Sequence, residues 1–317
     1  MKPMFRYTAI ILCLTLIISC SGAPSKSSHA AEKTAPVTAP VIVAANVSTT
    51  TASAAAVMAS EANNNRTDFW LARLPEQGAV ILGRAPSNSK SVTFNGNPIP
   101  VEPDGFFLIG FDRDAENAAN LVAALVSGKQ VEKYLPVRPG NWKIEKVDAS
   151  PTGGAGTTAE FERRRGGELN QINAARRINA KSNGWRQTFI TPAKGRISGF
   201  FGSQRIYRGS PGSFHTGMDI AIPTGTPYVA PADGVVILAA QSPFTLEGNL
   251  LMIDHGMGLN SAFLHSSQLL VKVGDVVRQG QVIGKAGATG RASGPHLHWG
   301  MKWNSARVDP RLMVPAQ

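Results

Sequence analysis

The chain has 317 residues, 43% of them hydrophobic and 17% charged, and a formal net charge of +11. That length accommodates two ordinary domains of about 100 to 200 residues with cores of their own. Both cysteines precede residue 21, which excludes a disulfide-stapled fold for the rest, and no basic stripe interleaved with aromatics points to nucleic acid.

Residues 1–19 read as an export signal. Lys2 and Arg6 supply the positive start, and residues 10–18 form an apolar run too short to span a bilayer. Cys20 stands where that run ends, after Ile17, Ile18 and Ser19, and the order resembles the lipobox of bacterial lipoproteins. The resemblance implies lipid attachment at Cys20, a membrane anchor, and, because Ser21 is not aspartate, an outer-membrane destination in the periplasm. A cut near Ala30–Ala31 would instead release a soluble protein.

Residues 20–67 are dominated by Ala, Ser, Thr, Pro, Val and Asn and carry no aromatic side chain before Phe69, a composition expected of a flexible tether. Over 68–149, the runs GAVILGRA, SVTFNGNPIPV and GFFLIGFD are short and β-rich, and PSNS, NGNP and EPDG supply turns between them. LVAALV at 121–126 could pass for a helix, but the following SGK and the alternation of QVEKYLPV predict a strand. The spacing predicts a small β-sandwich, which resembles the immunoglobulin-like modules of some exported bacterial peptidases. PTGGAGTTA at 151–159 marks a break. Within 150–184, the stretch from about 160 to 181 places Leu169, Ile172 and Ile178 near helical spacing, predicting a helical connector interrupted at Gly166–Gly167, with Arg163 to Arg165 on a solvated face. From 185 to 317 the chain is rich in glycine and β-branched residues, which predicts an all-β module.

Five of the six histidines fall in this last module. His296 and His298 are two apart, so in a strand both rings share one face with attachment points about 6 to 7 Å apart. His215 and Asp219 in HTGMD are both zinc-ligand types, but in an ideal strand they would be about 13 Å apart, too far for one ion bonded at about 2 Å. That segment must bend, and Gly217 permits it.

GRISGFFGSQR, HTGMDIAIPTGTP, APADGVV, IDHGMGLNSAFLH, VGDVVRQGQVIGKAGATGRASGPHLHWG and VDP, taken in order, resemble the lysostaphin-like and LytM-like zinc endopeptidases of peptidase family M23. The resemblance runs from about 196 to 310, with one departure, Tyr228–Val229, where the aliphatic residue usually precedes the aromatic one. It implies a half-barrel-like β fold, one zinc ion held by His215, Asp219 and His298, and His265 and His296 as catalytic groups that are not ligands. It further implies cleavage of peptidoglycan cross-links or stem peptides. Three protein ligands leave a zinc position open, as a catalytic site requires. His255 and Asp254 stay outside that set.

Three other functions compete. A non-catalytic activator of a peptidoglycan amidase would share the fold, but such relatives have typically lost ligands. VKVGDVVRQGQVIGKAG also resembles a biotinyl or lipoyl carrier, yet no lysine in a Met-Lys-Met setting is present at a fitting position. A zinc D,D-carboxypeptidase normally has a glutamate base near its last histidine, and no acidic residue lies between Asp275 and Asp309. Nothing in the sequence sets an oligomeric state.

Overall fold

A computed structural model describes residues 65–149, 159–240 and 242–315. The signal, Cys20, the tether up to residue 64 and the break at 151–158 lie outside the described residues.

The first part of the described chain forms eight strands: β1 (Trp70–Leu71), β2 (Val80–Arg84), β3 (Ser89–Phe94), β4 (Asn97–Ile99), β5 (Phe106–Gly110), β6 (Ala118–Leu125), β7 (Gln130–Pro136) and β8 (Ile144–Val147). The first seven make two antiparallel sheets, β1-β2-β5 and β4-β3-β6-β7. The LVAALV run lies in β6, as the turn chemistry around it predicts. Every residue of β5 is buried. Its alternation explains why: Phe107 and Ile109 enter the core between the two sheets, while Phe106 and Leu108 point the other way, into the core of the C-terminal half. A strand apolar on both faces needs cover on both. Gly110 allows the close approach, since a Cβ there would lie 2.9 Å from Trp303 Cβ.

One α-helix occurs among the described residues, α1 (Ala159–Arg176). It runs unbroken through Gly166–Gly167, contrary to the predicted interruption. Both glycines are exposed, so their weak helix propensity is overridden by burial of Glu168, Ile172 and Ala175. Leu169 and Ile178, expected on the apolar face, are 40% and 46% exposed. No described helix is long and apolar enough to cross a membrane.

The C-terminal half adds β9 (Arg196–Gly199), β10 (Gln204–Tyr207), β11 (Ser210–Pro211), β12 (Gly217–Ala221), β13 (Pro227–Val229), β14 (Gly234–Ala239), β15 (Asn249–Gly256), β16 (Leu259–Ser266), β17 (Gln268–Leu269), β18 (Val276–Val277), β19 (Val282–Lys285), β20 (Leu297–Trp303) and β21 (Ala306–Val308). Its main sheet has the order β18-β14-β15-β16-β20-β12-β9, with β21 paired to β20, and a smaller sheet is β13-β19-β17. β8 pairs in parallel with β10, tying the first half of the chain to the hairpin that precedes His215.

The main sheet buries both faces. Leu251, Ile253, Leu259, Phe263, Leu297, Trp299, Met301, Met218 and Ile220 face the large core. On the other face Leu250, Met252 and Ala262 meet Ile172 and Ala175 of α1. Leu264, directly opposite His298 in register, lies on the α1 side. The helix therefore packs on the same side of the sheet as His298, against residues of β14, β15 and β16. Tyr228, the departure noted in the sequence, is fully buried, stacks on Phe263 at 5.4 Å, and shares a 2.8 Å hydrogen bond with Ser266 Oγ.

Candidate metal centre and active site

Strands β12 and β20 pair so that Asp219 stands opposite His298. His215 lies just before β12, and its ring turns back over the pair. His298 Nδ1 is 2.8 Å from Asp219 Oδ1, and His215 Nε2 is 3.1 Å from that oxygen and 3.2 Å from His298 Nδ1. A tetrahedral ion with ligand bonds near 2.0–2.1 Å separates its ligand atoms by about 3.3 Å. The triangle matches that span.

The bend needed in HTGMD falls at His215 and Thr216, ahead of the strand, and Gly217 serves a different purpose from the one expected. Gly217 already belongs to β12. A Cβ there would lie 2.5 Å from the Trp299 carbonyl oxygen and 2.6 Å from His298 Nε2, so glycine is needed for closeness and not for the turn.

The backbone sets the ring tautomers. His215 Nδ1–H donates to the Phe200 carbonyl at 3.1 Å, which leaves Nε2 of the neutral ring as a lone pair. That lone pair faces a carboxylate oxygen and a second imidazole nitrogen, an arrangement of acceptors that a cation resolves. Three ligand-type atoms meeting within 3.2 Å of one another fit a divalent metal, and the His-to-carbonyl bond is the usual outer support of such a ligand. Burial opposes the charged form of Asp219, but the adjoining His215 and His298 rings hold its carboxyl far below the usual range. Burial likewise disfavours protonated His215, yet the Asp219 contact raises its pKa on balance; His298 is lowered, chiefly by burial.

His265 and His296 flank the triad. Their ring centroids are 4.9 Å apart, and the His265 centroid is 6.3 Å from that of His298. His265 Nδ1–H donates to the Thr289 carbonyl and His296 Nδ1–H to the Gly294 carbonyl, each at 2.8 Å. Both rings thus keep Nε2 free to take a proton, and His296 Nε2 lies 3.7 Å from Asp219 Oδ1. Burial is the main cause that lowers the His265 pKa. All five residues singled out in the module gather here.

His255 does not join them. It is fully buried against Phe189, donates from Nδ1 to the Asp233 carbonyl at 2.8 Å, and accepts at Nε2 from Ser261 Oγ at 2.8 Å. Asp254 accepts backbone N–H bonds from Ala180 and Gly256. The carbonyl supports at Phe200, Thr289 and Gly294 were not readable in the sequence, because a backbone oxygen leaves no signature in residue type. Arg113 was missed as well. It sits in a polar turn but is 6% exposed, donating to the Gly202 carbonyl at 3.0 Å and Gln204 Oε1 at 2.9 Å, with its guanidinium 4.8 Å from the Phe214 ring centroid.

The model of Peptidase family M23 matches residues 213–310. Among curated proteins, peptidoglycan DD-endopeptidase ShyA of Vibrio cholerae is 41% identical over 117 residues, covering 36% of this chain and 26% of that protein. DD-carboxypeptidase/endopeptidase Mpg of Neisseria meningitidis is 43% identical over 96 residues, covering 30% of this chain and 22% of that one. The chain thus spans about a quarter of the length of the curated relatives it matches. Among solved structures, a peptidase M23 candidate from Pseudomonas aeruginosa superposes with a TM-score of 0.59 and 28% identity over 77% of this chain and 97% of that one. That share exceeds the module holding the histidines, so the common fold reaches into the N-terminal sheets. The segment that the model of Peptidase family M23 matches, residues 213–310, holds the converging His215, Asp219 and His298.

Proposed function

We propose that this protein is a zinc-dependent endopeptidase that hydrolyses peptide cross-links or stem peptides of peptidoglycan. The observation that carries the reading is the meeting of three ligand-type atoms beside two imidazoles whose Nε2 atoms are both free. His215, Asp219 and His298 would hold one zinc ion. When bound, zinc supplies a Lewis acid that polarises an amide carbonyl and acidifies a neighbouring water. His265 and His296 accept the proton of the attacking water at Nε2 and return it to the leaving amine, a task suited to groups whose ordinary pKa is near neutrality. Their Nδ1–H anchors keep each ring in the tautomer that can accept.

Relatives from Vibrio and Neisseria bear the DD-endopeptidase name, which favours the D-alanyl cross-link as the bond cut. The amidase-activator reading is disfavoured by the complete donor set. The N-terminal sheets are proposed as an immunoglobulin-like module, and Cys20 as the lipid attachment that keeps the protein in the periplasm at the outer membrane.

The test is to digest purified sacculi with the intact protein and identify the new amine terminus by mass spectrometry. New D-alanyl or diaminopimelyl termini, abolished by chelator and by His298→Ala, are expected. A folded, zinc-free protein that releases no peptide but accelerates an amidase would overturn the reading.

A further inference from the structure

We propose that α1, which lies outside the family-matched region, belongs to the catalytic apparatus: Arg165 and Glu168 are positioning residues that hold the 243–248 loop, and through it His265. This rests on the reading of His265 as a catalytic group.

His265, next to last in β16, has φ of 65°, a left-handed conformation that a side-chain-bearing residue holds only where its surroundings over-determine it. Two bonds do so. Its N–H donates to the Glu247 carbonyl at 2.8 Å, and its Nδ1–H to the Thr289 carbonyl at 2.8 Å. These carbonyls belong to two segments that are laced together. Thr289 Oγ1 donates to the Ser266 carbonyl and accepts from the Asn249 N–H, both at 2.9 Å, and Arg291 N–H donates to the Leu246 carbonyl at 3.0 Å. A Cβ on Gly248 would lie 2.3 Å from Thr289 Oγ1, so the segments touch as closely as backbone allows. Moving the loop therefore moves both supports of the His265 ring.

What holds the loop is α1. Glu168, 4% exposed, accepts the Thr245 N–H at 2.8 Å and its hydroxyl at 2.6 Å. Arg165 grips Glu247 with two parallel bonds, Nη1 to Oε2 at 2.7 Å and Nη2 to Oε1 at 2.9 Å, a geometry that fixes direction as well as distance. Arg164 Nη2 donates to the Pro243 carbonyl at 2.5 Å. Phe244 packs in one apolar cluster with Ile172 and Ala175. Arg164, Arg165 and Glu168 of a connector helix thus converge on one short loop, and the arginine run read in the sequence as a solvated face forms part of the grip. A buried carboxylate is costly unless bonded, and beside Arg164 and Arg165 of its own helix Glu168 takes two further hydrogen bonds that only the loop supplies.

The test uses the full-length, zinc-loaded protein with Arg165→Met, Arg165→Lys and Glu247→Gln. Four quantities are read: kcat and KM on a soluble cross-linked muropeptide dimer, zinc content, and hydrogen exchange of the His265 amide. We expect Arg165→Met to lower kcat about tenfold or more with KM within about twofold, because a small displacement of an acid/base group acts on the reacting geometry and not on binding. Zinc content stays at the parent level, the His265 amide exchanges faster, and Arg165→Lys recovers part of both effects. If Arg165→Met does not fold, Glu247→Gln, which keeps the side-chain volume, carries the same expectations. Unchanged kcat, or an unchanged His265 amide beside a general loss of stability, overturns the proposal. If the parent cleaves nothing while the His265 amide still responds to Arg165→Met, the endopeptidase reading fails and the positioning stands.

Discussion

Acid should destabilise this protein through one histidine that takes no part in the site. His255 is fully buried, and burial depresses its pKa from 6.5 to about 4. Its hydrogen bonds suit only the neutral ring, since Nε2 accepts from Ser261 Oγ, which in turn accepts from Trp299 Nε1–H. The folded state therefore binds this proton more weakly than the unfolded chain. The resulting stability is complete above 6.5 and is lost as pH falls toward 4. The cost is about 2 kcal/mol at pH 5 and on the order of 3 kcal/mol at pH 4. For a unit of this size, the former lowers Tm by roughly 4 to 8 °C. Asp254, whose pKa is raised mainly by burial, works in the opposite sense as pH falls and flattens the end of the curve. The assay is thermal or urea unfolding of the zinc-loaded protein at pH 7.5, 6 and 5, with His255→Gln beside it. Glutamine can donate to Asp233 and accept from Ser261 but does not titrate here. The variant should be less stable at pH 7.5, and the gap should narrow by about 2 kcal/mol at pH 5. Loss of zinc in acid affects both proteins alike and cancels in the comparison. Parallel pH profiles would refute the argument, because they would mean that His255 titrates in the fold as it does in water.

Three other outcomes are expected. His298→Ala should lose zinc and activity together, whereas His265→Ala and His296→Ala lose activity and keep the metal, as metal analysis of the three proteins will register; zinc loss in His296→Ala alone would reverse the division of the pair. Tyr228→Phe removes a buried hydroxyl and leaves Ser266 Oγ short of a partner, so urea unfolding should show a loss of about 1 to 2 kcal/mol with little change in kcat. Residues 186–317 carry twelve Lys and Arg against six acids, so raising salt should weaken binding to intact sacculi while hydrolysis of a short uncharged peptide changes little; a parallel fall in both would mean that salt disturbs the fold.

The side chains that gather at the site were legible because zinc-ligand chemistry is written in residue types, and HTGMD and HLH display those types directly. The strand at β5 was legible from its apolar run, and β6 from the turn residues after it. What escaped was anything decided by a neighbour distant in sequence. Gly166–Gly167 read as a break, but α1 persists because Ile172 and Ala175 find cover on β14 and β15. Arg165 read as solvated, yet its partner Glu247 lies 82 residues away, and Arg113, which drew no reading, bonds a carbonyl 89 residues away. Gly217 was correctly picked as a special position for the wrong reason, since the closeness of Trp299 and His298 exists only after β12 and β20 pair.

The sheet β1-β2-β5 belongs to two cores at once, with Ile81 and Phe107 facing one and Val80, Phe106 and Leu108 the other. Two cores that share a wall cannot melt separately, because opening either strips one face of the same strands. Residues 65–315 should thus lose structure in a single calorimetric transition whose van't Hoff and calorimetric enthalpies agree, despite a sequence that divides into two compositional halves. A peptidase module excised at residue 185 would lose Val80, Phe106 and Leu108 from the core they share with it and Phe94 from against Trp303, and should be prone to self-association.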